Sequence, residues 1–190
     1  FLDTDTQFSC AKQVDTERGQ AELLIPMIDA VMREAGAGFA EVDAIAVTRG
    51  PGSFTGVRIG LATARSLGLA LDCPVIGFST LDVIASGEGE GSEDSLFVID
   101  TKRGDFYGQI GAGNEPSIWS DAAVAGFSGR VVRDVRPSPL LMARMLARES
   151  VESIGRGYEK SRSIEPLYLR DAEVSSPKTQ PPAVCFTDLE

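Results

Sequence analysis

The chain has 190 residues, 43% of them hydrophobic, enough for one large domain or two small lobes with a real core. A formal charge of −10 opposes long-range steering toward nucleic acid, and no apolar run reaches the roughly 18–20 residues of a membrane span. There is no histidine, which excludes HExxH metalloprotease chemistry, histidine-ligated zinc or iron, and any Ser-His or Cys-His dyad built from these residues.

In chain order, FLDTDTQFSCA (1–11) reads as a buried strand, a polar turn at 4–7 and a second short strand. KQVDTERG (12–19) is a polar linker. QAELLIPMIDAVMREAG then predicts a helix, because Leu23, Leu24, Met27, Ile28, Val31, Met32 and Ala35 recur every three or four residues. Gly36 and Gly38 stop it, and Pro26 inside the pattern predicts a kink or a start nearby. DAIAVTRG (43–50) is a buried strand. TRGPGSFTGVRIGLATARSLGLAL (48–71) is a turn followed by a helix. CPVIGFSTLDVIASG gives a strand over 75–78 and a short helix from about Thr80. The acidic, glycine-rich EGEGSEDS (88–95) is a loop. SLFVIDTKRGDFYGQIGA (95–112) is a hairpin with its turn at 101–105. Irregular sequence follows, then a strand near 130–132. Ser138 caps a helix over PLLMARMLARES, and PLYLRDAEV precedes a Pro-rich tail.

Three features bear on function. The glycine-rich turn at Gly50 and Gly52 could hold an anion at the start of a helix. It lacks the Gly-Lys-Ser/Thr of a P-loop and misses the dinucleotide spacing by one. The plain alternative is a tight turn with Ser53 or Thr55 as helix cap. Within that helix, Gly56, Gly60, Ala64 and Gly68 make a stripe of small residues. Each helical Gly costs about 1 kcal/mol relative to Ala, so a closely approaching surface must offset the cost. That surface could be the chain's own sheet or another chain. Finally, Asp3-Thr4 and Asp100-Thr101 share an apolar-apolar-Asp-Thr pattern, which suggests two related halves. These pairs could face a nucleotide phosphate across a cleft, or simply build hairpin turns. Cys10, Cys73 and Cys185 lie far apart, as expected for buried residues in a reducing compartment. With no signal segment apparent, a soluble, cytoplasmic chain is expected.

FLDTDTQFSCA, AELLIPMIDAVMREAG, DAIAVTRGPGSFTGVRIGLATARSLGLAL, PVIGFSTLD, VIDTKRGDFYGQI and PLYLRDAEV together resemble the TsaB (YeaZ) family of tRNA threonylcarbamoyladenosine biosynthesis proteins. GPGSFTGVRIGLA is the most specific of these stretches. The resemblance implies an α/β actin-like, Hsp70-like ATPase (ASKHA) fold of two related lobes, 1–95 and 96–190, each with a mixed sheet and flanking helices. It implies a non-catalytic scaffold for TsaD, a paralogue that shares the fold and holds a metal through an HxxxH motif. The ATPase TsaE joins them, and the complex transfers a threonylcarbamoyl group to the adenosine beside the anticodon in tRNAs reading codons that begin with A. The first two helices, 21–35 and 56–71, are implied to form a helical bundle with the partner. Leu23, Leu24, Met27, Ile28, Val31, Gly56, Gly60, Ala64, Arg65 and Gly68 are the residues so assigned. The same surface is implied to form a homodimer when the partner is absent. No cofactor or metal is expected on this chain; ATP and magnesium are used by the complex, and tRNA is met only through it. The family carries a further strand and loop between Ala11 and Lys12 that this sequence lacks. A small ATP-dependent kinase or ATPase of the same fold, with Asp3 and Asp100 as its carboxylates, is the alternative.

Overall fold

The structure is a computed structural model, and it describes residues 1–4, 8–16, 19–89, 92–149 and 164–170. The tail beyond 170, with Cys185, and the centre of the first turn at 5–7 lie outside the described residues.

Helix α1 (Gln20–Ala35) begins at Gly19 and ends at Gly36, both in the left-handed conformation. At Gly36 the backbone N–H returns to the carbonyls of Met32 and Arg33, which closes the helix. The helix starts six residues before Pro26, so Pro26 sits in its interior rather than at its start. A 3₁₀ turn (Phe39–Glu41) leads into β1 (Ile45–Thr48), followed by α2 (Phe54–Leu71) and β2 (Val75–Phe78). Ser53 caps α2, its Oγ accepting from the Gly56 N–H at 3.4 Å, and Asp72 ends it in a left-handed turn. β1 and β2 pair in parallel, Ile45 opposite Val75 and Thr48 opposite Phe78. A parallel pair needs a crossover, and α2 supplies it. Val47, Leu61, Ala64 and Val75 form the core of this unit.

After α3 (Thr80–Ala85) comes a four-stranded sheet of β3 (Leu96–Asp100), β4 (Asp105–Ile110), β5 (Ser117–Ser120) and β6 (Val131–Val132), ordered β5-β4-β3-β6. β3-β4 and β4-β5 are antiparallel and β3-β6 is parallel, so the sheet is mixed. Each face has its own core. Leu96, Val98 and Val124 lie on one, with α4 (Asp121–Ala125) supplying Val124. Phe97 and Val132 lie on the other, against Leu81, Ile84 and Ala85 of α3. Thus α3, although it precedes residue 95, packs on the second sheet. Asp82 reinforces the junction: its carboxylate accepts from Gln109 Nε2 at 2.7 Å and from the Gly113 N–H at 2.8 Å. Helix α5 (Pro139–Arg148) is capped by Ser138, whose Oγ accepts from the Leu141 N–H at 3.3 Å.

The expected hairpin at the amino end is reduced to one antiparallel bridge, Leu2 with Ser9, and no strand forms among the described residues there. The expected irregular stretch before β6 instead contains β5 and α4. Cys10 and Cys73 are buried free thiols. Burial first, and the nearby Asp43 carboxylate second, push the Cys73 thiol up.

Candidate docking helices and the loops beside them

Helix α1 lies against α2 but buries only Met32. Leu24, Met27, Ile28 and Val31 are half-buried, Leu23 is exposed, and Ile25 is 51% exposed. A globular helix normally hides its apolar stripe. Here much of the apolar surface of a sixteen-residue helix stays in contact with water.

Helix α2 has two unlike faces. Leu61, Ala64 and Gly68 are buried, and a Cβ placed on Gly60 would meet Val47 Cγ2 of β1 at 3.7 Å. The close-approaching surface that offsets the glycines is therefore the chain's own first sheet at Gly60 and Ala64. Gly56 sits exposed at the cap, with Ser53 as its nearest neighbour. Arg65 is half-buried and donates from Nη2 to the Ile164 carbonyl at 2.8 Å. The outward face carries Arg58, Ala62, Ser66 and Leu69, all exposed, Leu69 to 69%. These positions follow the same three- and four-residue spacing. That signal was present in the sequence, overshadowed by the glycine stripe on the opposite side of the helix.

Two stretches distant in sequence, 49–58 and 167–168, meet at the start of α2. The Leu167 N–H donates to the Arg49 carbonyl at 2.7 Å. Tyr168 OH accepts from Arg58 Nε at 2.9 Å. The Tyr168 ring lies 5.3 Å from that of Phe54, and the Arg58 guanidinium stands 3.7 Å over the Phe54 ring. Gly50 has φ +105°, and a Cβ there would lie 2.8 Å from the Leu167 carbonyl oxygen, so only glycine fits. Arg170 pairs with Asp105 at the start of β4, and the Asp105 carboxylate also accepts from the Thr101 hydroxyl at 2.5 Å.

The two Asp-Thr pairs occupy different surroundings. The Asp100 carboxylate accepts from the Lys102 N–H at 2.6 Å and from its ammonium at 2.8 Å. The Lys102 side-chain bond first, and its backbone bond second, hold the Asp100 carboxyl below the usual aspartate range. Lys102, in a left-handed turn, is raised by the same pair. Asp100 and Thr101 thus direct these bonds into the β3–β4 turn. Asp3 and Thr4 line a shallow depression of about 350 Å³ with Ser9 and with Arg144 and Arg148 of α5; Asp100 and Thr101 are not part of its wall. The cations that the local sequence around Asp3 lacks are supplied from α5. Among the described residues, no three or more Cys, Asp or Glu side chains group as a metal site, and no helix is long and apolar enough to cross a membrane.

Residues 14–115 match the family model described as TsaD, tRNA N6-adenosine threonylcarbamoyltransferase. The chain is 32% identical over 170 residues to the tRNA threonylcarbamoyladenosine biosynthesis protein TsaB of Escherichia coli (strain K12), covering 86% of this chain and 70% of that protein. It is 39% identical over 93 residues to the Haemophilus influenzae protein of the same description, covering 48% of this chain and 39% of that one. Among solved structures, YeaZ from Pseudomonas aeruginosa superposes with a TM-score of 0.64 at 25% identity, over 79% of this chain and 85% of that one.

Proposed function

The chain belongs to the TsaB (YeaZ) family, related to TsaD, and from that premise we propose that it is a non-catalytic scaffold that pairs with a TsaD subunit through α1 and the outward face of α2. The observation that carries this reading is α1, whose apolar residues Leu23, Leu24, Met27, Ile28 and Val31 remain partly open to water. Burying such a face stabilises an association by about 25 cal/mol per Å² of apolar area, before the entropy lost on docking.

In this account the docked helices favour the conformation of TsaD competent for threonylcarbamoyl transfer, by population shift. TsaE joins the pair, tRNA meets this chain only through the complex, and a cytoplasmic location follows. Alone, the chain forms a homodimer through the same surface. The two-lobe ASKHA arrangement, 1–95 and 96–190, is part of the proposal; two separate sheets support it, with α3 at their junction. In this account the residues of the two helices divide by role. Gly60 and Ala64 serve the internal packing, and Gly68 is buried beside them; Leu23, Leu24, Met27, Ile28 and Val31 serve the docking.

Replacing Leu24 or Ile28 by Asp tests the surface. Each variant is expected to stay folded and to lose pairing with TsaD in analytical ultracentrifugation. Pairing retained at wild-type affinity would refute the assignment. A second reading, a small ATP-dependent kinase or ATPase, is favoured by Arg144 and Arg148 standing beside Asp3 and Thr4. Calorimetry with ATP and magnesium on the isolated chain separates the two: tight binding with turnover supports the second reading, and neither is expected.

A further inference from the structure

We propose that residues 164–170 form a strap that fixes the rotation of α2 about its own axis, with Tyr168 and Arg170 as positioning residues for the docking helix. This rests on the docking reading above. The strap is hydrogen-bonded to α2 at two positions seven residues apart, Arg58 through Tyr168 OH and Arg65 through the Ile164 carbonyl. At 1.5 Å of rise per residue these tethers lie about 10 Å apart along the helix. A helix held at two such points cannot roll freely. Rolling matters because the outward side chains stand about 5 Å from the axis, so a 20° turn shifts them by about 2 Å. That is enough to spoil an interface packed as densely as a protein interior.

The strap is also anchored on elements other than α2. Its amino end is half-buried in the first unit, where Ile164 packs against the cluster that joins Leu61 and Ala64 of α2 to Val47 of β1 and Val75 of β2. Its middle is bonded to the end of β1 through Leu167 and Arg49, in a fit that leaves no room for a side chain at Gly50. Its carboxy end reaches the second sheet, where Arg170 meets Asp105 with both side chains mostly buried. Asp105 is in turn held by Thr101. The pose of α2 is thereby referenced to both sheets at once. A surface tail with no such role would need neither the glycine nor the mostly buried ion pair.

The test uses the full chain and two readouts. Hydrogen exchange of the α2 amides over 58–62 is compared among wild type, Tyr168→Ala, Arg170→Gln and the conservative Tyr168→Phe and Arg170→Lys. TsaD affinity is measured for the same set, at temperatures well below each melting point. The expected result is at least fivefold faster exchange and at least fivefold weaker pairing for Tyr168→Ala and Arg170→Gln, with Arg170→Lys recovering part of both. Unchanged exchange in the first two variants overturns the strap. Faster exchange with unchanged affinity overturns the positioning role. Leu24→Asp is the control for the underlying reading: if it pairs normally, the docking surface is wrong, and the exchange measurement still decides the strap.

Discussion

Replacing Gly60 by Ala asks which way the small-residue stripe of α2 faces. The Cβ of an alanine there would lie 3.7 Å from Val47 Cγ2, an ordinary van der Waals distance. Two effects then have the same sign. Alanine is better than glycine in a helix interior by about 0.8–1 kcal/mol. The added methyl is partly shielded by Val47 and contributes a fraction of the roughly 0.8 kcal/mol of a buried carbon. The net expectation is a gain of about 1 kcal/mol. For a domain of this size that raises the melting temperature by about 2–4 °C. Gly60→Leu reverses the sign, because the extra carbons must push Val47 away, at a cost of about 1–3 kcal/mol. Thermal and urea denaturation read the stability, and ultracentrifugation with TsaD reads the pairing. Gly60→Ala is expected to pair normally, since its methyl points at β1. A destabilised Gly60→Ala, or a folded one that no longer pairs, would refute the inward orientation of the stripe.

Two further substitutions probe the second sheet. A Cβ on Gly108 would lie 2.6 Å from Trp119 Cδ1, so Gly108→Ala is expected to cost about 1–3 kcal/mol and to change the fluorescence of this lone tryptophan; an unchanged spectrum at full stability would contradict the packing. Asp100 has a depressed carboxyl pKa, so its ionic contribution to the β3–β4 turn is present above the ordinary aspartate value and is lost as pH falls through the lower folded value. Carboxylate NMR is expected to place its titration below that of an unstructured Asp, and Lys102→Ala to move it back up; a wild-type midpoint at the ordinary value would contradict the pairing.

Much of the fold was legible because its signals are local. Val75–Phe78, Thr80–Ala85 and Leu96–Asp100 form where their sequences predict, and Ser53 and Ser138 cap the helices they precede. The elements that were missed depend on distant partners. Ser-Ile-Trp-Ser is too short to show a period, and it becomes β5 because β4 offers it an edge and Gly108 makes room for Trp119. The first hairpin keeps its Leu2–Ser9 pairing but, among the described residues, does not extend into strands. Pro26 is tolerated, at a usual cost near 3 kcal/mol, in a helix whose buried residue, Met32, lies beyond it. At the candidate site, periodicity singled out α1 and α2, yet it could not tell which side of α2 meets β1. The bonds of Tyr168 and Ile164 to α2 were invisible, since they join residues about a hundred positions apart.

The central claim is that this chain assists a reaction that another subunit performs. Reconstitution of threonylcarbamoyl transfer to tRNA from purified TsaD and TsaE, supplied with an activated threonylcarbamoyl donor and ATP, with and without this chain, measures it directly. The account predicts little product without the chain, restored product with it, and no restoration by Leu24→Asp. Equal product in its absence, or full restoration by the Leu24→Asp variant, would contradict it.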